Sequence, residues 1–229
     1  MKKKGLKFWI QPGWSDEVRQ IPQGAAFREI LSDGIYPFRG RCLNAGCGEG
    51  LYDSLLRSLP GIESVVNMDL QEKTAGGLAD YVPGSLTQLP FPDQSFDCCL
   101  ASEVLEHIPD DHKAVSEIAR VLRPDGMLLI SVPALPAPHD PNHVREGYTI
   151  GSLAVLLEQN GFTVRRHIFC LFFLMRIFYM LWQWQFETLG GKRRSWLPRF
   201  IGLGFGHADK VLRLGKPWDL VMLAQKAGS

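Results

Sequence analysis

The sequence predicts an α/β protein with a mainly parallel, doubly wound sheet, and three observations carry that prediction. Short apolar runs bounded by turn residues recur through most of the chain. Segments with apolar residues at helical spacing alternate with them, and a glycine-rich stretch sits where the first run meets the first such segment. Strands that alternate with helices pair in parallel, and such sheets take their ligands at the carboxyl ends of the strands.

The elements follow in order along the chain. Residues 1–20, with Trp9, Pro12, Gly13 and Trp14, show no clear period and are expected to form an irregular arm. A short helix is expected from Pro22 to Leu31, with proline in its first turn and Gly34 past its end. Arg41 to Ala45 reads as a strand and Gly46 to Gly50 as a turn. Leu51 to Leu59 reads as a helix carrying Leu51, Leu55, Leu56 and Leu59 on one face. Pro60 and Gly61 stop it, and Ser64 to Met68 forms a buried strand ending at Asp69. Residues 71–80 are too few and too glycine-rich for a full crossover helix, so a third strand near Tyr81 follows a reduced link, and 84–92 is loop. A fourth strand (96–102), a helix from Asp111 to Leu122, a turn at RPDG (123–126) and a fifth strand (127–133) come next. A proline-rich loop leads to a helix at 150–159 closed by Asn160 and Gly161, then a sixth strand at 162–169. The apolar run 218–226 is expected to be the seventh.

Composition sets limits on function. With 229 residues, 45% of them hydrophobic and 21% charged, the chain can bury one ordinary core. A formal net charge of +1 supplies no field to gather a polyanion, although Lys2, Lys3, Lys4 and Lys7 are locally basic. Nucleic acid is therefore disfavoured as a partner. Those lysines are not followed by an apolar run with a small-residue cleavage site, which leads to the expectation of a cytoplasmic protein. Cys42, Cys47, Cys98, Cys99 and Cys170 are odd in number and lack C-x-x-C spacing, as expected of buried free thiols.

The segment LNAGCGEG (43–50) places Gly46, Gly48 and Gly50 between a strand and a helix, where glycine lets the backbone turn tightly and come close to a ligand. Alone it could be no more than a tight connection. Asp69, at the end of the next strand, stands where an acidic side chain meets ribose hydroxyls in such folds. A dinucleotide and an adenosyl sulfonium both fit this much. The dinucleotide fingerprint G-x-G-x-x-G, however, needs a third glycine where this chain has Leu51.

LNAGCGEG, Asp69, LPFPDQSFDCCLASEVLEHIPD (89–110) and EIARVLRPDGMLLISVP (117–133) occur together and in this order. In that combination the chain resembles the class I S-adenosylmethionine-dependent methyltransferases, and most nearly the group called methyltransferase type 11, over roughly residues 40–170. The resemblance implies a Rossmann-like, seven-stranded sheet with an antiparallel last strand and S-adenosyl-L-methionine as cofactor; the sequence does not identify the methyl acceptor, which is expected to be a small molecule or lipid-like. It also implies one methyltransferase domain: an arm and helix at 1–34, a cofactor-binding core at 40–170, an apolar helical insertion at 171–216 between the last two strands, and the last strand at 217–226. By the same resemblance Asn44, Ala45, Gly46, Cys47 and Gly48 would lie against the methionine and ribose of the cofactor, with backbone N–H groups as donors. Asp69 would take both ribose hydroxyls, Leu70 would pack on adenine, Ser85 and Leu86 would border its edge, and Ser102 and Glu103 would line the methionine end. The chain departs from many relatives at Asn44, where they carry an acid, and at Ser85, where others carry Asp. A non-catalytic cofactor-binding protein on the same fold is the alternative.

Methyl transfer to oxygen or nitrogen benefits from a base, and His143 and His139, after the fifth strand, are the candidates. His107, in VLEHIP, would by the same resemblance sit beside the cofactor pocket, and a helix-capping or packing role is expected for it ahead of a functional one. Arg145 could meet an anionic acceptor or form a surface ion pair. Pro138 and Pro141 prevent His139 and His143 from sharing a helix face, so no metal site is expected. The run IFCLFFLMRIFYMLWQWQF (168–186) is apolar all round but contains Arg176, Gln183 and Gln185, which argues against a membrane span. It is expected to cap the acceptor pocket or add to the core, to lie peripherally on a membrane through residues 171–200 with the help of KRR (192–194), or to form a dimer contact.

Overall fold

The computed structural model describes residues 14–32, 34–70, 78, 80–137, 140, 142–188 and 199–228. Its strands are β1 (Gly40–Ala45), β2 (Ile62–Asp69), β3 (Tyr81–Pro83), β4 (Phe96–Ser102), β5 (Leu122–Pro133), β6 (Phe162–Cys170) and β7 (Asp219–Lys226). They form one seven-stranded sheet in the order β3-β2-β1-β4-β5-β7-β6. The five strands from β3 to β5 pair in parallel, and β7 runs antiparallel to both β5 and β6. The strand order reverses between β1 and β4, which is where an open α/β sheet leaves a crevice at its carboxyl edge.

Alternation along each strand sends neighbouring side chains to opposite faces. Leu43, Met68, Cys99 and Ile130 pack under α3 (Asp111–Val121) and α4 (Ile150–Gln159), in a cluster with Ile118 and Leu153. Cys42, Val65, Leu100 and Leu129 face the other way, into a second cluster with Phe27, Leu56 and Phe178. Those three come from α1 (Trp14–Leu31), α2 (Asp53–Ser58) and α5 (Phe173–Thr188). All five cysteines are free and buried, as expected.

The structure corrects three local expectations. The first helix begins at Trp14 and carries Pro22 inside it, rather than starting there. It lies between the sheet edge and α6 (Arg199–Leu212), so it buries more than one stripe and has no clean period to read; Val18, Phe27 and Ile30 are fully buried. Leu51 and Tyr52 belong to the turn, and α2 starts at Asp53. RPDG is not a turn ahead of β5 but part of it, forming a bulge with Asp125 at φ 62° beside a register shift opposite Phe96 and Cys98. Gly126 is required there, because a Cβ would come within 2.8 Å of the Arg123 carbonyl oxygen.

Between β6 and β7 stand α5 and α6. Asp209, fully buried on α6, accepts from the backbone N–H groups of Phe172 (2.8 Å) and Met175 (3.1 Å), and so caps the start of α5 from another helix. Met175 and Phe178 are buried on the inner face of α5, whereas Phe173, Met180 and Trp184 are exposed. Among the described residues no helix is long and apolar enough to cross a membrane.

Candidate active site

The glycine turn follows β1 at the point where the strand order reverses. Gly46, Gly48 and Gly50 have φ of 71°, 53° and 83°, in the left-handed region that a side chain disfavours. At Gly46 space is limiting as well, since a Cβ would fall 2.5 Å from Val104 Cγ2. The N–H groups of Gly46 and Cys47 both donate to the Met68 carbonyl, at 2.8 and 2.9 Å, and that of Gly48 donates to Asp69 Oδ2 at 2.8 Å. This qualifies the expectation of amide donors for a ligand: these amides bind β1 to β2. What the turn presents is a backbone surface without Cβ atoms, with the Asp69 carboxylate against it.

The other expected cofactor residues separate into two groups. Leu70 is 74% exposed next to Asp69, while Leu86 is buried and Ser85 bonds to Thr87 within its own turn (2.9 Å). Asn44 is buried, and its amide donates to Asn67 Oδ1 at 2.8 Å; Asn67 in turn donates to Asp53 Oδ1 at 2.6 Å. Asn44 and the buried Ala45 therefore support the turn from within the sheet. Ser102 and Glu103 stand at the carboxyl end of β4, with Glu103 at φ 51°. A non-glycine residue is disfavoured there, so the surrounding contacts must hold it in place.

Glu103 belongs to a buried polar network that the sequence reading missed. Ser131 donates to Glu103 Oε1 (3.2 Å), and Ser131 and Ser102 share a hydroxyl contact at 2.8 Å. Gln23 of α1 donates to Asp219 Oδ2 (2.7 Å) and Ser131 Oγ (3.2 Å), and it accepts from the Tyr52 hydroxyl. The Arg19 guanidinium lies 3.8 Å from Glu103. Burial pushes the Asp219 carboxyl well above the ordinary range, with the Glu103 carboxylate adding to the shift. Asp219 opens an otherwise apolar strand, the one local sign of this network.

A second polar group stands beside the first. Leu105–His107 form a single 3-10 turn, and the loop after β5 returns to it: Val144 N–H donates to the Glu106 carbonyl (2.9 Å). Arg145 fixes the return by donating to the carbonyls of Leu105, Ile108 and Pro109, and it pairs with Asp111 at 3.1 Å. It is thus engaged within the chain. His107 Nδ1 lies 3.2 Å from the Asn142 carbonyl and must donate to it, which leaves Nε2 unprotonated in the neutral ring. Nε2 is 3.8 Å from Glu106 Oε1, and the His143 ring stands edge-on to that of His107 with centroids 4.7 Å apart. Glu106 is 1% exposed, neither of its carboxylate oxygens has a hydrogen bond, and burial pushes its carboxyl well up. His139 lies outside the described residues.

Residues 43–130 match the family model described as a methyltransferase domain. Over 135 residues the chain is 36% identical to a protein of Mycolicibacterium smegmatis described as a probable S-adenosylmethionine-dependent methyltransferase, covering 53% of this chain and 51% of that one. It is 29% identical over 131 residues to a 27-O-demethylrifamycin SV methyltransferase of Amycolatopsis mediterranei, covering 51% and 48%. The chain thus spans about half the length of these curated relatives. Among solved structures, a 1,6-didemethyltoxoflavin-N1-methyltransferase of Burkholderia thailandensis with bound S-adenosylhomocysteine aligns over 93% of this chain and 80% of its own, at TM-score 0.55 and 23% identity. An S-adenosylmethionine-dependent methyltransferase of Archaeoglobus fulgidus aligns over 93% and 98%, at TM-score 0.59 and 19% identity. Residues 43–130 thus resemble a methyltransferase domain, and the seven-stranded sheet that they help to build is similar to those of solved methyltransferases.

Proposed function

We propose that this chain transfers the methyl group of S-adenosylmethionine to a small-molecule or lipid-like acceptor and releases S-adenosylhomocysteine. One observation carries the reading: the Cβ-free turn at Gly46–Gly48 and the Asp69 carboxylate are bonded together at the switch point of the sheet. Asp69 would hold the ribose hydroxyls, and the exposed Leu70 side chain would cover the adenine that Ser85 and Leu86 border. Gly46, Cys47 and Gly48 would follow the ribose and methionine part, Asn44 and Ala45 would hold the turn in shape, and Ser102 and Glu103 would face the methionine end. When bound, the cofactor supplies an electrophilic methyl carbon: a bond forms from the acceptor atom to that carbon as the C–S bond breaks, with its electron pair going to sulfur. The residues of the chain would align the acceptor and receive its proton, and of the two histidines expected as bases, His143 stands in the Glu106–His107 group.

Calorimetry with S-adenosylhomocysteine and with NAD tests the reading. Binding of the first, weakened in Asp69→Ala, supports it; binding of NAD alone would overturn it. Only turnover, followed as methyl label moving into product, separates an enzyme from a binding protein on the same fold. The Amycolatopsis relative is named for O-methylation, which favours an oxygen acceptor here. We further propose that a cytoplasmic chain meets membranes peripherally through the outer face of α5, on which Phe173, Met180 and Trp184 are exposed. Co-sedimentation with anionic liposomes, lost on Trp184→Glu, would support it, and an unbound wild type would exclude it.

A further inference from the structure

We propose that Glu106, His107 and His143 form a binding site for one divalent first-row cation of the zinc class, beside the glycine turn. Their candidate ligand atoms all lie within 4.8 Å of one another. Zinc bonds of about 2.0–2.2 Å at tetrahedral angles separate ligand atoms by about 3.4 Å, so small side-chain rotations close the set. The 3.8 Å between Glu106 Oε1 and His107 Nε2 is already near that value. Two imidazoles and a carboxylate are a donor set that leaves at least one position open to an exogenous oxygen.

Three independent features point to a cation rather than to packing. Glu106 is buried with both oxygens lacking hydrogen bonds, an arrangement that costs free energy unless a positive charge meets it. His107 is fixed by the Asn142 carbonyl in the tautomer that aims the Nε2 lone pair at Glu106, the outer-shell contact by which metal-binding histidines are oriented. The Asp140 carboxylate stands 3.8 Å from His143 Nε2, so Glu103, Glu106 and Asp140 surround two imidazoles, with Arg19 a cation that bears on Glu103 and Glu106. The proline-rich loop made a helical two-histidine motif impossible. The structure instead takes one histidine from each of two segments and joins them through Val144 and Arg145.

The site also has a place in the chemistry. Val104, two residues before Glu106, is the side chain against which Gly46 turns, so the cation would lie close to the cofactor turn. Resting on the methyl-transfer reading, an acceptor hydroxyl on the open position would give up its proton to solvent more readily, its oxygen would bond to the methyl carbon as the C–S bond breaks, and His143 would then serve as a ligand in place of a base.

The metal-stripped full-length protein is titrated with Zn²⁺ and, as a hard-cation control, Mg²⁺, by calorimetry, with S-adenosylhomocysteine binding measured separately. One Zn²⁺ per chain is expected, with Mg²⁺ weaker. Glu106→Gln and His107→Ala are expected to weaken Zn²⁺ by at least about tenfold, while His112→Ala, outside the group, leaves it unchanged. Glu106→Gln removes a buried charge and keeps the shape, and unchanged S-adenosylhomocysteine binding would show that it is folded. Absence of saturable Zn²⁺ binding to the wild type, or equal binding by Glu106→Gln, overturns the metal site. Loss of S-adenosylhomocysteine binding with Zn²⁺ binding intact would instead sink the methyl-transfer reading alone.

Discussion

Gly46 combines two demands that are usually met separately, a left-handed backbone and the close approach of the Val104 side chain. The backbone part of Gly46→Ala costs about 1 kcal/mol and the overlap with Val104 about 1–3 kcal/mol more. Urea unfolding should therefore show a loss of about 2–4 kcal/mol. Adding Val104→Ala should return much of the overlap part, and a double variant no more stable than Gly46→Ala would show that the contact is not limiting. Asp69 makes a different prediction, because it holds the turn and, in the proposed reading, would also bind the ligand. Asp69→Ala removes a charged acceptor and should weaken S-adenosylhomocysteine by about 10–100-fold, about 1.5–3 kcal/mol. Asp69→Asn keeps one acceptor for Gly48 and should lose less.

At the scale of elements, the insertion has two unlike faces. Phe178 is fully buried on the inner face of α5, between the sheet and α6, and Phe178→Ala should cost about 3–5 kcal/mol. Trp184, 54% exposed on the outer face, should tolerate Trp184→Glu within about 0.5 kcal/mol, so its effect on liposome binding would not be a folding defect. The cap that Asp209 provides explains how α5 can begin beside the sheet, since its first amides are satisfied by a carboxylate of α6. Arg145 plays the same part for the Leu105–His107 turn. In each case one polar side chain from a distant segment satisfies backbone groups that the element cannot satisfy itself.

Across the whole molecule, the carboxyl edge of the sheet gathers two buried acids, Glu106 and Asp219, close to Glu103. Asp219 has its carboxyl pushed up chiefly by burial and then by Glu103. The sign follows from linkage: below the unfolded aspartate value of about 3.9 its contribution to stability is complete, and it is lost as pH rises through the folded value. Asp219→Asn should remove that loss, so its stability relative to wild type should increase from pH 5 to pH 8 in paired urea titrations. A difference between the two proteins that does not change with pH would mean that Asp219 does not titrate in the folded state. A buried acid held above its ordinary range in this way costs stability at neutral pH.

Much of this architecture was legible in local pattern. Short apolar runs located most of the strands, and the bounds of β4 and α4 match the expected 96–102 and 150–159, because β4 is a continuous apolar run buried on both faces and α4 buries one regular stripe. The glycine turn and Asp69 were legible for a related reason: a tight strand-to-helix turn demands glycine wherever the protein folds it, and an acid ending a buried strand stands out. The start of α1, the bulge at RPDG, the Glu103–Ser131–Asp219 network and the meeting of His107 with His143 were not. Each depends on contacts between segments far apart in the chain, and only the tertiary structure sets which polar groups share a buried space. Sequence periodicity thus determined the sheet and where its ligand edge lies, while packing between distant segments decided which side chains face that edge.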